Sequence, residues 1–103
     1  MIKIKRQPTH PGKILREDFL LPSGLSQTEL AEMLQITFRR VNEILNEKRG
    51  ISPEMAVRLA RFFGTSEELW LNLQDQYDLY KVKEKKQSEL GKIIPYKQLA
   101  KTA

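Results

Sequence analysis

The chain has 103 residues, 40% of them hydrophobic and 30% charged, a composition typical of one globular domain with short tails rather than of a disordered or fibrous protein. It contains no cysteine, which excludes disulfide bonds, thiolate nucleophiles and cysteine-ligated zinc. The formal net charge of +5 favours polyanionic partners, and residues 1–64 hold eleven Lys and Arg against seven Asp and Glu. Because such an excess is also common in proteins that never contact nucleic acid, charge alone leaves the partner undecided.

The sequence has no apolar run near the roughly 18 residues that a transmembrane helix requires. Its first residues, MIKIKRQ, also lack the long apolar stretch of a signal peptide. We therefore expect no membrane partner and a cytoplasmic protein.

The first predicted helix lies between Thr9 and Gly24. Thr9 is a capping residue and Pro11 suits the first helical turn, while Pro22 and Gly24 are expected to end the helix. Its apolar stripe consists of Ile14, Leu15 and Phe19.

Two further short helices follow. Ser26 and Glu29 form the S-x-x-E pattern of a capping box, which predicts the start of the second helix. After a turn at Gln35, Thr37 is the expected cap of the third helix. The predicted contact between these helices consists of Leu30, Ala31, Leu34, Ile36, Val41 and Ile44. A pair of short helices joined by a tight turn is typical of a helix-turn-helix motif.

The last two predicted helices have equally clear boundaries. Ser52 and Pro53 begin the fourth helix and Gly64 ends it, while Thr65 or Ser66 begins the fifth. Strand signals are weak and confined to residues 1–5 and 92–97. The sequence therefore predicts an all-α fold of five helices.

The third helix has a polar face opposite its apolar stripe, and a helix of this width fits the major groove of DNA. The residues expected to contact DNA from this helix are Thr37, Phe38, Arg39, Arg40, Asn42, Glu43 and Asn46. Arg39 and Arg40 can donate to guanine or to phosphate, and we expect one to read bases and the other to anchor, whereas Phe38 offers only apolar contact, for example to a thymine methyl. Glu43 either accepts from cytosine or pairs with an arginine one turn earlier.

Backbone contacts to DNA are predicted on either side of this face. Ser26, Gln27 and Thr28 lie at the N-terminus of the second helix, where the free N–H groups favour a phosphate. Lys48 and Arg49 follow the third helix and either hold the adjacent phosphates or form a solvated basic loop.

An aromatic stripe in the fifth helix predicts a homodimer interface formed by Trp70, Leu73, Tyr77 and Tyr80. The alternative is that Trp70 and Leu73 pack onto the core of their own domain. A two-fold dimer of this motif places its two third helices about 34 Å apart, one turn of DNA.

Three segments together resemble the HigA-type antitoxins of toxin–antitoxin modules, within the lambda-repressor-like (XRE-type) helix-turn-helix group: HPGKILREDFL, GLSQTELAEML followed by RRVNEILNEKRGISPEMAVRLARFFGTS, and LWLNLQDQYDL. The resemblance implies a five-helix DNA-binding domain over residues 9–80, with the motif at about 26–46 and a basic extension over 81–103. It also implies dimeric binding to a palindromic operator, repression of the protein's own operon and neutralisation of a HigB-type mRNA-cleaving toxin. Two positions depart from the pattern: Gln35 replaces the usual glycine of the turn, at a cost of roughly 1 kcal/mol, and Phe38 replaces a polar reader.

Little in the sequence points to an enzyme. The one histidine, His10, is expected to cap or pack at the first helix, and the pairs Glu29 with Glu32 and Glu67 with Glu68 suit exposed helix surfaces. There is no Walker motif and no G-x-G-x-x-G, so we expect no catalytic residues, metal site or cofactor. Two alternatives to the antitoxin remain, namely a phage-type repressor without a toxin and a protein-interaction module that no longer binds DNA.

Overall fold

A computed structural model describes the backbone of residues 7–102 and the side chains of residues 7–99. Within these residues the chain forms seven helices and no strand. The helices are α1 (three contiguous segments, Pro11–Ile14, Leu15–Leu20 and Leu21–Ser23), α2 (Gln27–Leu34), α3 (Phe38–Leu45), α4 (Pro53–Phe63), α5 (Glu67–Lys85), α6 (Gln87–Leu90) and α7 (Tyr96–Thr102). The predicted all-α fold is confirmed, and the first five helices are those expected from the sequence.

The two weak strand signals have different outcomes. Residues 1–5 lie outside the described residues. The signal over residues 92–97 is wrong, because this segment leaves α6 through a turn in which Ile93 N donates to the Leu90 carbonyl at 3.1 Å and then enters α7. The division of the chain at residue 80 stays a prediction, and α5 runs through that position to Lys85.

Helix caps explain why most boundaries follow the sequence. Ser26 Oγ accepts from Glu29 N at 3.0 Å, and Glu29 Oε1 accepts from Ser26 N at 2.9 Å, so the predicted capping box forms. Hydrogen bonding to the Glu29 carboxylate, first from the backbone N–H of Ser26 and second from its side chain, lowers the pKa of Glu29. Ser52 caps α4 by accepting from Met55 N at 3.1 Å. Gly64 ends α4 with a left-handed φ of 73°.

The expected cap at Thr9 is wrong, and of the two residues expected to begin the fifth helix, Thr65 and Ser66, the structure selects Ser66. His10 caps α1 instead of Thr9, since its Nδ1 accepts from Gly12 N at 2.9 Å. Ser66 caps α5, and the neighbouring Thr65 hydroxyl accepts from Trp70 Nε1 at 2.8 Å instead. In both cases a tertiary contact or a better-placed acceptor decided between adjacent polar residues.

The middle of α1 is π-helical over Leu15–Leu20, and Leu21 N donates to the Arg16 carbonyl. Pro22 lies inside the last turn rather than beyond the helix end, and Gly24 ends the helix with a φ of 73°. Because Pro22 has no N–H, it donates no backbone hydrogen bond to the preceding π-helical turn.

One core holds α1 to α5 together. Its fully or nearly buried side chains are Leu15, Leu20, Leu30, Ala31, Leu34, Val41, Ile44, Leu45, Ile51, Met55, Ala56, Leu59 and Trp70. Gly12 lets α1 cross α3 at very short range, because a Cβ at this position would overlap the carbonyl oxygen of Ile44. Arg16 Nη1 donates to the Leu45 carbonyl at 3.0 Å beside this crossing. The C-terminal end of α3 is thus held firmly by α1.

Candidate nucleic-acid interface

The turn between α2 and α3 has the left-handed backbone expected at Gln35, with φ of 57° and ψ of 46°. Arg58 of α4 supports it: Nη1 donates to the Leu34 carbonyl at 2.7 Å, and the guanidinium is held by Glu54 at 2.9 Å. A cation at the C-terminal end of α2 stabilises the exposed carbonyl dipoles there. This contact offsets part of the strain of a non-glycine residue. Sequence reasoning missed Arg58 because it lies more than 20 residues along the chain.

The facing sides of the two helices pack as predicted. Leu30, Ala31 and Leu34 of α2 are buried, and so are Val41, Ile44 and Leu45 of α3. The small side chain of Ala31 lets the two helices approach closely. With its back in the core, α3 can turn only its opposite face to solvent.

Arg39 and Phe38 lie on this outer face. The Arg39 side chain is 86% exposed, and Phe38 is 51% exposed although it is a large apolar residue. Asn46 is exposed as well, and its Nδ2 donates to the Asn42 carbonyl at 2.9 Å. Arg39 Nε is 3.5 Å from Glu43 Oε2, a surface ion pair of the kind that contributes little to stability. Arg39 is therefore available to a ligand.

Arg40 points the other way. Its Nη2 donates to Ser52 Oγ at 3.3 Å, its Nη1 is 3.8 Å from Glu54, and its side chain is only 25% exposed. The expectation that Arg40 shares the outer face is wrong, because the start of α4 offers it a hydroxyl and a carboxylate. Arg40 thus joins α3 to α4 through Glu54, the carboxylate that also holds Arg58.

Glu43 is engaged within the protein. Besides Arg39, it contacts Arg49 Nη2 at 3.0 Å through Oε1, and its side chain is 25% exposed. Of its two predicted roles, pairing with an arginine is the one that the geometry favours. Glu43 has Arg49 as a second partner, which the sequence spacing did not suggest. Thr37 has a structural role too, as its hydroxyl caps α3 by accepting from Arg40 N at 3.2 Å.

The N-terminus of α2 lies beside α3. Gln27 Oε1 accepts from Asn42 Nδ2 at 3.0 Å, so these two predicted contact residues are joined across the motif. Ser26 uses its hydroxyl for the cap, and Thr28 is exposed. Lys48 and Arg49 are exposed in the loop that follows α3. Thr28, Arg39 and this basic loop are thus exposed on α2, on α3 and just after α3.

Known proteins share this architecture. The helix-turn-helix family model matches residues 15–70. Virulence-associated protein I of Dichelobacter nodosus is 49% identical over 86 residues, which cover 84% of this chain and 79% of that protein. Antitoxin HigA-1 of Vibrio cholerae is 33% identical over 95 residues, covering 92% and 90% of the two chains. The Pseudomonas aeruginosa antitoxin HigA, solved with the higBA promoter, is 41% identical and superposes with a TM-score of 0.83 over 86% of this chain and 98% of its own.

The chain belongs to the HigA-type antitoxins of the helix-turn-helix family. This family has a non-enzymatic DNA-binding fold, in agreement with the expectation that the chain is not an enzyme. Among residues 7–99 no group of three or more His, Asp or Glu side chains is placed to hold a metal ion. No helix in the described part of this antitoxin is long and apolar enough to span a bilayer.

The aromatic stripe of α5 is divided by the structure. Trp70 is 0% exposed, with its ring 4.9 Å from that of Phe19, so its assignment to a dimer interface is wrong. Leu73 is partly buried against the core. The Tyr77 and His10 rings pack edge-on, with their centroids 4.8 Å apart. The Lys81 ammonium lies over the Tyr77 ring. Only Tyr80 of the four borders an open groove, and its bond to Glu84 raises the pKa of the phenol.

Proposed function

We propose that this antitoxin binds the operator of its own operon as a homodimer, represses that operon, and neutralises a HigB-type mRNA-cleaving toxin in the cytoplasm. The observation that carries the proposal is the exposure of Arg39 on a helix whose back is sealed in the core. A relative of known structure, the Pseudomonas aeruginosa HigA, was solved with a promoter, which supports an operator as the ligand.

Roles on DNA follow from the chemistry of the outer face. Arg39 offers a guanidinium fork to guanine O6 and N7, and its weak pair with Glu43 costs little to exchange. Phe38 supplies an apolar contact for a thymine methyl. Thr28 and the first N–H groups of α2 suit a phosphate on one side of the helix, and Lys48 and Arg49 suit one on the other. Arg40, Asn42 and Glu43 act by holding the elements in place.

The homodimer is proposed through the outer half of α5. A groove with a volume of about 750 Å³ runs along this half, and its apolar wall includes Leu79, Leu90 and Pro8 beside Tyr80. Leu79 is 55% exposed and Val82 is 50% exposed, which is unusual for large apolar residues on one short surface. A second copy of the same helix presents the same apolar chemistry, as a two-fold interface requires.

The toxin partner rests on family membership. A short toxin gene next to the gene of this antitoxin would support the proposal, and co-purification of the two full-length products would test it directly. A gene with no such neighbour would favour the phage-type repressor.

DNA titrations test the operator proposal. We expect Arg39→Ala to weaken binding to the DNA upstream of its own gene by about 1 to 3 kcal/mol and to leave binding to a scrambled duplex nearly unchanged. Lys48→Ala is expected to weaken binding to both duplexes alike and to reduce the salt dependence. Arg61→Ala, which removes an exposed arginine of α4, is the matched control. Equal operator affinities for the Arg39→Ala and native chains would contradict the assignment of the reader.

A further inference from the structure

The loop between α3 and α4 carries Lys48 and Arg49, and its shape depends on few contacts. Lys48 N donates to the Glu43 carbonyl at 2.8 Å, and Glu47 has a left-handed φ of 60°. Such a non-glycine conformation persists only where the surroundings hold it. Local backbone bonds hold the start of the loop on α3, and its far end, at Ile51, is held by a contact from outside the loop.

That contact comes from α5. The amide oxygen of Gln74 accepts from Ile51 N at 2.7 Å, across 23 residues of chain. At its other side, Gln74 Nε2 donates to Asp78 Oδ1 at 2.9 Å. A carboxylate can only accept here, so it orients the amide with its oxygen toward the loop. Gln74 thus has both ends of its amide engaged and one defined orientation.

Gly50 leaves the space that this contact needs. A Cβ at Gly50 would lie 2.8 Å from Gln74 Oε1 and 2.9 Å from Gln74 Cδ, too close for either atom to stay. The backbone of Gly50 is outside the left-handed region, so another residue could adopt its conformation. Glycine is required at this position for room and not for its backbone freedom.

We propose that Gln74 is a positioning residue for DNA binding, which holds the loop of Lys48 and Arg49 against α5 in the space left by Gly50. The inference rests on the proposed function, in which these two side chains contact phosphates. A loop already held in its bound shape loses less conformational freedom when DNA arrives, so the contact raises affinity without touching DNA. Because phosphates carry no base identity, the effect must be the same for every duplex.

The test is a double-mutant cycle in the full chain, titrated with the upstream operator duplex and with a scrambled duplex of equal length. We expect Gln74→Ala to weaken binding to both duplexes by a similar factor, about 2- to 10-fold, the range for ordering one or two long side chains. The plot of log affinity against log salt should become shallower, by up to about 0.9 for each phosphate that the loop no longer neutralises. Asn72→Ala, on an exposed position of the same helix, should change neither quantity.

Gly50→Ala supplies the second arm of the cycle. The new methyl group should displace the amide of Gln74 and weaken binding as much as the Gln74→Ala variant does. In the Gln74→Ala background the clash is absent, so the double variant should bind no more weakly than Gly50→Ala alone. Thermal unfolding of each variant identifies the fraction that is folded during the titration.

Gln74→Glu adds a readout that loss of stability alone does not produce. Its carboxylate keeps an acceptor for Ile51 N but faces Asp78 with a second negative charge. Protonation restores the donor, so the affinity of this variant relative to the native chain should rise as the pH falls toward 5. A ratio that is independent of pH would count against the orienting role of Asp78 and overturn this part of the proposal.

The outcomes separate the two proposals. Native affinity and salt dependence for Gln74→Ala, alongside weakened binding by Lys48→Ala, would overturn the positioning role and leave the operator proposal standing. Additive effects in the double variant would overturn it as well. If Lys48→Ala and Arg49→Ala change neither affinity nor salt dependence, the loop does not contact DNA, and both the inference and that part of the proposed function fail.

Discussion

The two halves of α5 continue one apolar spacing but lie in different surroundings. In the first half, Trp70 is 0% exposed and packs on Phe19. In the second half, Leu79 is 55% exposed. The difference is one of length: the 19 residues of α5 span about 28 Å, whereas the 11 residues of α4, against which it packs, span only about 16 Å. A helix that is longer than its neighbour leaves its last turns for another partner.

The largest expected effect lies in the buried half. Trp70→Ala should lower the free energy of unfolding by about 3 to 5 kcal/mol, because it removes a fully enclosed aromatic side chain and leaves the Thr65 hydroxyl without its donor. Denaturant unfolding of the full chain measures this decrease. Asn72→Ala, exposed on the same half, should change it by less than about 0.5 kcal/mol. Similar decreases for the two variants would remove the distinction between the halves.

A smaller effect is expected in the exposed half, where the quantity that changes is the monomer–dimer equilibrium. Leu79→Asp with Tyr80→Asp should shift the protein from dimer to monomer, since a carboxylate buried in an interface without a partner costs more than the roughly 1 to 3 kcal/mol of a neutral polar group. Sedimentation velocity over a concentration series measures the shift. Ser88→Asp adds a carboxylate on exposed α6, outside the groove, and should leave the dimer intact. An unchanged dimer in the double variant would assign the interface to another surface.

The smallest expected effect is at the junction of the two halves, where Tyr77 covers His10. Burial lowers the pKa of His10, while Glu47 and Asp78 raise it by less. The unfolded chain therefore binds a proton more readily, and the stability that His10 contributes is complete above about pH 6.5 and is lost as the pH falls through the lowered folded-state pKa. Protonation of Nδ1 would also remove the acceptor of the α1 cap.

His10→Asn is the matched variant for that measurement, because asparagine keeps a capping oxygen and does not titrate. Unfolding free energies of the native chain and of this variant, measured between pH 5 and 8, should converge toward low pH. Parallel curves would show that His10 does not contribute to the pH dependence.

Much of the fold was predictable because its signals are local. The capping box at Ser26, the cap and proline at Ser52 and Pro53, and the left-handed glycines at α1 and α4 each act within one turn of their helix. The outer position of Arg39 was also predictable, since Val41 and Ile44 define the buried side of the same short helix. Locally encoded features of this kind need no knowledge of distant residues.

The sequence by itself thus determined where α2, α3 and α4 begin, where α1 and α4 end, and which side of α3 is apolar. The tertiary structure alone decided the direction of Arg40, the support of the Gln35 turn by Arg58, the hold of Gln74 on the loop at Ile51, and the point along α5 at which burial stops. The reason is that these contacts join residues 12 to 24 positions apart. A long side chain can reach several polar partners, and the packing of the helices decides which one it meets. No local sequence pattern contains that information.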